Sequence, residues 1–173
     1  MKQQQIMALK DVSLVCTKST NYNQLNSKIL GDLTKNKNAV GLYISLNKSA
    51  ESVENNLKKN NINTSKICFI AAVSGKSKSK KNCIFVNGVK SLTEISLAIA
   101  LATNTGKYSY VYFDNISTLL SYHSAKETER FVHYLVGKLR HAEVTGILVL
   151  IDSPESNKLM PIISSFCDDC VMM

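Results

Sequence analysis

Short apolar runs alternate along this chain with longer stretches in which apolar residues recur every three or four positions. The runs have the length of strands and the periodic stretches have the length of helices, so the pattern predicts successive βαβ units and a parallel sheet. The runs that we interpret as strands lie at residues 12–16, 39–46, 66–70, 83–86, 108–113, 146–151 and 169–172. The stretches that we interpret as helices lie at about 22–35, 50–59, 91–103 and 124–142, with a further helix beginning at Pro154.

Four of the strands are expected to lie in the middle of the sheet. The runs are almost continuously apolar, which is typical of parallel strands that are covered on both faces; they lie at 12–16, 39–46, 108–113 and 146–151. The fold class predicted is therefore α/β, with three α/β/α layers and a mainly parallel central sheet.

Two helix starts carry a recognisable capping pattern. Ser91 precedes Glu94 by three residues, and Ser124 precedes Glu127 by three, which is the spacing of a capping box. Ser153 followed by Pro154 is typical of an N-cap residue and a proline in the first helical turn.

The length of 173 residues favours one domain, and we expect it to span residues 1–173. No apolar run approaches the roughly 18 residues of a membrane span. The N-terminus lacks the apolar segment of a secretory signal. The five cysteines are an odd number, and some of them lie in apolar runs, which suits reduced, buried thiols. These features predict a cytoplasmic protein with no membrane partner.

The formal net charge is +8, from 21 basic and 13 acidic residues. Such a surface can bind nucleic acid. Only Arg130 and Arg140 are arginines, however, and the chain is rich in lysine and asparagine, a usage that the codon bias of an AT-rich genome also produces. The charge therefore leaves both interpretations open.

Ligands of open α/β sheets bind beyond the carboxyl ends of the strands. The turn after the first run matters most, because a helix that starts there directs its free N–H groups towards an anion. The strand at 108–113 ends at Asp114, which either binds a ligand or caps a turn.

Several segments together resemble the RecA/KaiC-like P-loop ATPases. The run from Tyr110 to Leu120 is similar to their Walker B strand, Gly41 to Leu46 to their second strand, and Ile163 to Met172 to their late strand. The resemblance covers nearly the whole chain and implies an ATPase-type fold.

The catalytic positions of that family are occupied by other residues here. The phosphate loop, G-x-x-x-x-G-K-[ST], falls on residues 17–24. Its glycine positions hold Thr17 and Tyr22, its lysine position holds Asn23 and its Mg²⁺-binding position holds Gln24. The remaining nucleotide-site positions that we single out are Lys18, Ser19 and Asp114. The place of the catalytic acid, after the second strand, reads Asn47-Lys48.

A basic loop follows the third strand and could contact phosphate backbones through four lysines, Lys76, Lys78, Lys80 and Lys81. An ordinary solvated loop is the alternative. The letters G-K-S at 75–77 do not make a phosphate loop, because the glycine position five residues earlier is Ile70, inside a strand.

Cys167 and Cys170 have C-x-x-C spacing. A structural zinc site needs four ligands, and no second pair accompanies these two cysteines, so no zinc site is predicted.

We therefore expect a catalytically inactive RecA/KaiC-like module, not an enzyme, that works as a regulatory or scaffolding subunit. Its partner is expected to be a protein, either a related active ATPase or a second copy of this chain. ATP and Mg²⁺ are not expected to bind tightly, and no cofactor or metal is expected. The alternatives are a DNA-associated accessory protein of the recombinase-paralogue kind, with weak nucleic-acid binding, and a weak nucleotide-binding ATPase.

Overall fold

The computed structural model describes residues 11–72 and 82–173, which form one sheet with helices on both of its faces. The seven strands are β1 (Val12–Thr17), β2 (Gly41–Ser45), β3 (Ile67–Ala72), β4 (Cys83–Val86), β5 (Tyr110–Asp114), β6 (Thr145–Ile151) and β7 (Asp169–Met172). The five α-helices of this part of the chain are α1 (Tyr22–Lys35), α2 (Ala50–Lys59), α3 (Leu92–Thr103), α4 (Ala125–His141) and α5 (Pro154–Phe166).

The strand order is β4-β3-β2-β5-β6-β1-β7, and every paired neighbour among the described strands is parallel. The four strands predicted to be central, now β1, β2, β5 and β6, do occupy the middle of this order. The predicted fold class is thus confirmed: the protein has three α/β/α layers around a parallel sheet, an arrangement consistent with the RecA-like type.

Each face of the sheet has its own apolar core. Helices α1 and α2 pack on one face, where Leu25, Ile29 and Val53 share a core with Phe69 and Tyr112. Helices α3, α4 and α5 cover the other face, in a core whose large members include Leu42, Ile44, Phe113, Phe131 and Leu148. Both faces are covered because side chains alternate along each strand, and both sets are apolar.

The predicted helix starts have the caps that the sequence indicated. Ser124 accepts from the backbone N–H of Glu127, and the Glu127 side chain returns to the N–H of Ser124, completing the capping box. Ser153 caps α5, with Pro154 in its first turn, as predicted. Ser91 accepts from the N–H of Glu94 at the start of α3, but the Glu94 side chain accepts from Asn87 instead of from the N–H of Ser91, so only half of the capping box predicted here is formed.

Besides shifts of one or two residues at strand ends, two segments that resembled strand regions of the ATPase family have another structure. Residues 163–166, which resembled the beginning of a late strand, are the last turn of α5, because the apolar period of that helix continues through Ile163. The second half of the run from Tyr110 to Leu120 is not a strand. It forms a 3₁₀ helix, Ile116–Ser121, whose first turn is capped by Asn115. Both segments lie in connections outside the strands and leave the order of the sheet unchanged.

Candidate functional site

The candidate site lies at the carboxyl ends of β1, β2 and β5. At this point the helices that follow neighbouring strands lie on opposite faces of the sheet. The chain leaves β2 towards α2 on one face, whereas it leaves β5 towards α4 on the other face. Such a switch point is where open α/β sheets bind ligands. Ser45, the last residue of β2, pairs in register with Asp114, the last residue of β5.

Asp114 is fully buried at this point and its carboxylate has two tyrosine partners. The hydroxyl of Tyr22, from the first turn of α1, donates to Oδ1. The hydroxyl of Tyr43, from β2, donates to Oδ2. Both tyrosines are themselves buried. Both oxygens of this carboxylate are therefore engaged by the protein's own side chains.

Burial raises the pKa of Asp114 to about 7, because removal from water penalises the ionised carboxylate. The two hydroxyl donors act in the opposite direction, since they stabilise the ionised form. Burial is the larger influence, so the pKa of Asp114 lies well above its usual value. Burial also raises the pKa of Tyr43 well above its usual value, which keeps its hydroxyl protonated and available as a donor.

A second polar contact lies next to this cluster. Tyr43 and Tyr112 are register partners on β2 and β5, and their rings stack with centroids 5.3 Å apart. The hydroxyl of the fully buried Tyr112 donates to Oδ1 of Asn26 on α1 at 2.5 Å. Two turns of α1 are thus tied to β5, by Tyr22 to Asp114 and by Asn26 to Tyr112.

Residues 17–24, on which we placed the phosphate-loop pattern, contain a tight turn at residues 18–21. The N–H of Asn21 donates to the carbonyl of Lys18 at 3.0 Å, and Thr20 Oγ1 donates to Oδ1 of Asn21 at 3.3 Å. Lys18 and Ser19 are exposed, and Thr17 is buried at the end of β1. The backbone N–H of Asn21 is used by the turn itself, so it is not free to bind a phosphate.

The other predicted positions do not converge on one point. Asn23 lines a groove between α1 and α2, whereas Gln24 lines a separate cavity of about 340 Å³ beside the end of β7. Lys48 lies with its Nζ 5.0 Å from the centroid of the Tyr22 ring. Of the predicted site residues, the structure brings Tyr22 into contact with Asp114 and places Thr17 and Gln24 at one cavity, whereas Asn23 lies at the groove.

Tyr43 and Asn26 were missed as site residues by the sequence reasoning. The signal for Asn26 is a polar residue that falls on the apolar stripe of α1, four positions after Tyr22 and three before Ile29. Tyr43 gave no signal beyond being an aromatic residue in a buried strand.

The basic loop that we predicted as a nucleic-acid contact is not among the described residues. Its four lysines are Lys76, Lys78, Lys80 and Lys81, and the described ranges end at residue 72 and resume at residue 82. None of the four can therefore be placed relative to the candidate site, and their contact with nucleic acid stays a prediction. The salt dependence of nucleic-acid binding is the measurement that decides it.

In residues 11–72 and 82–173, no group of three or more histidine, cysteine or acidic side chains is placed to hold a metal ion. Burial raises the pKa of both Cys16 and Cys167 to about 12, which keeps these thiols protonated. No helix of the described chain is long and apolar enough to cross a membrane.

Comparison with known proteins gives one family. The model of a family of unknown function, DUF7504, matches residues 19–173, which include every strand after β1 and all five α-helices. No curated protein matches the chain.

Proposed function

The chain belongs to the DUF7504 family of unknown function, and we propose that it is an inactive RecA/KaiC-like ATPase module that binds a protein partner as a regulatory or scaffolding subunit. The observation that carries the proposal is the pair of tyrosine hydroxyls on Asp114. A P-loop ATPase needs an acidic side chain at this place to hold Mg²⁺ against the phosphates. Here the same carboxylate is buried and its oxygens accept from Tyr22 and Tyr43.

The loss of the other phosphate-binding groups supports the same conclusion. Asn23 has no charge to place on the phosphates, and Gln24 faces a different cavity. A charge-assisted hydrogen bond contributes about 1.5–3 kcal/mol, whereas a micromolar ligand has only about 8 kcal/mol in total. The loss of the lysine and of the metal contact is enough to move ATP affinity to the millimolar range.

Exposed apolar residues on the outer surface of α3 support the proposal that the chain binds a protein partner. This helix is mostly apolar and carries a single charged residue, Glu94. Its inner face packs on the core, while Leu97 and Leu101 are 56 % and 62 % exposed on successive turns. Ile84 of the edge strand β4 is also exposed, and it lies two residues before Val86, which belongs to the α3 core. Large apolar side chains exposed together are typical of protein–protein contacts, and a partner with an apolar surface would bury them.

We expect the double substitution Leu97→Glu and Leu101→Glu to abolish partner binding. The measurement is cross-linking of the protein in its native host, in which the amount of cross-linked complex should fall at least 10-fold. The reason is that two carboxylates would have to be desolvated at the contact. Both side chains are exposed, so the fold should tolerate the change. Lys126→Gln, at an exposed residue of α4, is the matched control and should recover the same protein as the wild type.

Mass spectrometry of the cross-linked products identifies the partner, and light scattering of the purified chain reveals self-association. A protein that the double variant still captures as well as the wild type would show that α3 is not the contact. If the wild type captures no protein and remains monomeric, the scaffolding role is wrong.

Nucleic-acid binding is the test of the charge-based alternative. We expect at most weak, sequence-independent binding, because lysines supply charge without reading bases. If Lys76, Lys78, Lys80 and Lys81 each neutralise one phosphate, affinity should fall about 100-fold between roughly 50 and 200 mM salt. Fluorescence anisotropy with unrelated DNA duplexes measures both properties. Tight binding to one sequence at physiological salt would instead favour the DNA-associated accessory protein.

A further inference from the structure

A cavity of about 300 Å³ lies at the amino-terminal edge of the sheet, opposite the edge that carries the tyrosine–aspartate cluster. Its lining comes from the end of α1 and the residues after it, from the loop before β3, and from Tyr110 at the start of β5. Asp114 is the last residue of the same strand. The volume is at the lower limit of small-molecule sites, about 300–1,000 Å³, and suits a small ligand.

The ring of Tyr110 crosses β2 towards the cavity. Gly41, its register partner on β2, has no side chain, and a Cβ atom there would collide with Cζ and the hydroxyl oxygen of Tyr110. The hydroxyl therefore lies over Gly41, on the side of β2 that pairs with β3. The N–H of Gly41 donates to the carbonyl of Lys66 at 2.9 Å, which places Lys66, also a lining residue, next to the tip of the ring.

The Tyr110 hydroxyl has no hydrogen-bond partner within residues 11–72 and 82–173, although the residue is only 3 % exposed. Among the described side chains, the polar atom that is sealed in the core without a partner is Thr128 Oγ1, not this hydroxyl. The hydroxyl oxygen is consequently open to the cavity that Tyr110 lines. Burial raises the pKa of Tyr110 to about 12, which keeps the hydroxyl protonated and able to donate to a ligand.

Two asparagines at the cavity add hydrogen-bond donors. Oδ1 of Asn36 accepts from the N–H of Asn38 at 3.0 Å, and Oδ1 of Asn63 accepts from the N–H of Ser65 at 3.0 Å. Each carbonyl oxygen is held by its own turn, so the NH₂ group is the part of each side chain that stays available to a ligand. A ligand that accepts hydrogen bonds suits these groups.

The charge at the cavity favours an anion. Lys37 and Lys66 line it, and none of the described residues that line it is acidic. Lys66 Nζ donates to the carbonyl of Lys37, which holds the ammonium group at the cavity and leaves two of its hydrogens for other acceptors. The negative end of the α1 dipole lies nearby, but it amounts to roughly half a charge against two full positive charges. Both lysines are exposed, so the buried hydroxyl supplies the fixed direction that they lack.

We propose that this cavity binds a small oxyanion, a phosphate or carboxylate group, with the Tyr110 hydroxyl and the Lys66 ammonium group as its ligands. The inference does not rest on the proposed function, because Tyr110 and Asp114 lie at opposite ends of β5. A neutral ligand would accept from the hydroxyl and leave the lysine charges unpaired. An oxyanion satisfies both.

The test is a titration of the ¹⁵N-labelled full chain at constant ionic strength, with inorganic phosphate and succinate as probes and neutral succinamide as the control. We expect saturable shifts of the side-chain amides of Asn36 and Asn63 and of the backbone N–H groups of Gly41 and Lys66. The dissociation constant should be about 0.1–10 mM for at least one anion. Succinamide should give no saturable shift, and the anion that saturates distinguishes phosphate from carboxylate chemistry.

Three variants separate this site from non-specific binding to a basic protein. Tyr110→Phe retains the ring over Gly41 and removes only the hydroxyl, so affinity should fall about 10-fold. Lys66→Gln should weaken binding by a similar factor, whereas Lys126→Gln, an exposed lysine on the other face of the sheet, should bind as the wild type does. Wild-type affinity in Tyr110→Phe would overturn the proposal, as would equal losses in Lys66→Gln and Lys126→Gln. The absence of saturation with both anions, or saturation with succinamide, would overturn it too.

Discussion

Replacing Tyr22 with alanine is expected to lower the free energy of unfolding by about 3–5 kcal/mol, as for other buried aromatic side chains. The ring is buried between α1 and the sheet, and its hydroxyl is one of the two donors to Asp114. Alanine would leave a cavity and would remove a donor from a buried carboxylate. Chemical denaturation of the two proteins, with comparison of midpoints and slopes, measures the difference.

Tyr22→Phe is the matched control for the hydroxyl group. It retains the packing of the ring and should cost only about 1–3 kcal/mol, the range for leaving one buried polar group unpaired. If Tyr22→Ala cost less than about 1 kcal/mol, the ring would not fill the site as described.

Asp114→Asn is expected to change the pH dependence of stability by as much as about 4 kcal/mol between pH 4 and 7. Burial raises the pKa of Asp114 to about 7 in the folded protein, against 3.8 for the free side chain. The folded state therefore retains a proton that the unfolded state has lost. The resulting stability is fully present below about pH 3.8 and is lost as the pH rises through about 7.

The asparagine variant has no such proton, and its Oδ1 can still accept from one tyrosine. Its stability should consequently decline less than that of the wild type as the pH rises across this range. Denaturant midpoints at half-unit intervals of pH measure both curves. Asp168, whose pKa is lowered by its contact with Arg140, is present in both proteins and cancels in the comparison. Parallel curves would show that Asp114 is already ionised well below neutral pH.

The sequence was sufficient to predict the sheet and the position of Asp114. Strands that are covered on both faces appear in the sequence as almost continuous apolar runs. Such runs are recognisable without tertiary information, which is why β1, β2, β5 and β6 were found as central strands. Asp114 was found because it follows such a run directly.

The contacts of the site depended on information that one sequence does not contain. The sequence analysis placed Tyr22 at a glycine position of the phosphate-loop pattern. In the structure its ring lies inwards on Asp114, because Tyr22 is on the apolar stripe of α1 with Asn26 and Ile29. Tyr43 reaches the same carboxylate only through the register of β2 with β5, in which Ser45 faces Asp114. The pairing of β2 with β5 joins strands that are distant in the chain, and no local pattern specifies it.

Calorimetry of the full chain with ATP and Mg²⁺ tests most directly our proposal that this chain is an inactive ATPase-type module. With Tyr22 and Tyr43 on the Asp114 carboxylate, we expect no affinity tighter than about 100 μM, which corresponds to roughly 5.5 kcal/mol. Asp114→Ala should leave that weak signal unchanged, since the carboxylate is not available to a metal. Low-micromolar binding that Asp114→Ala weakens would instead mean that the site is open, because Asp114 would then be a working nucleotide-site residue.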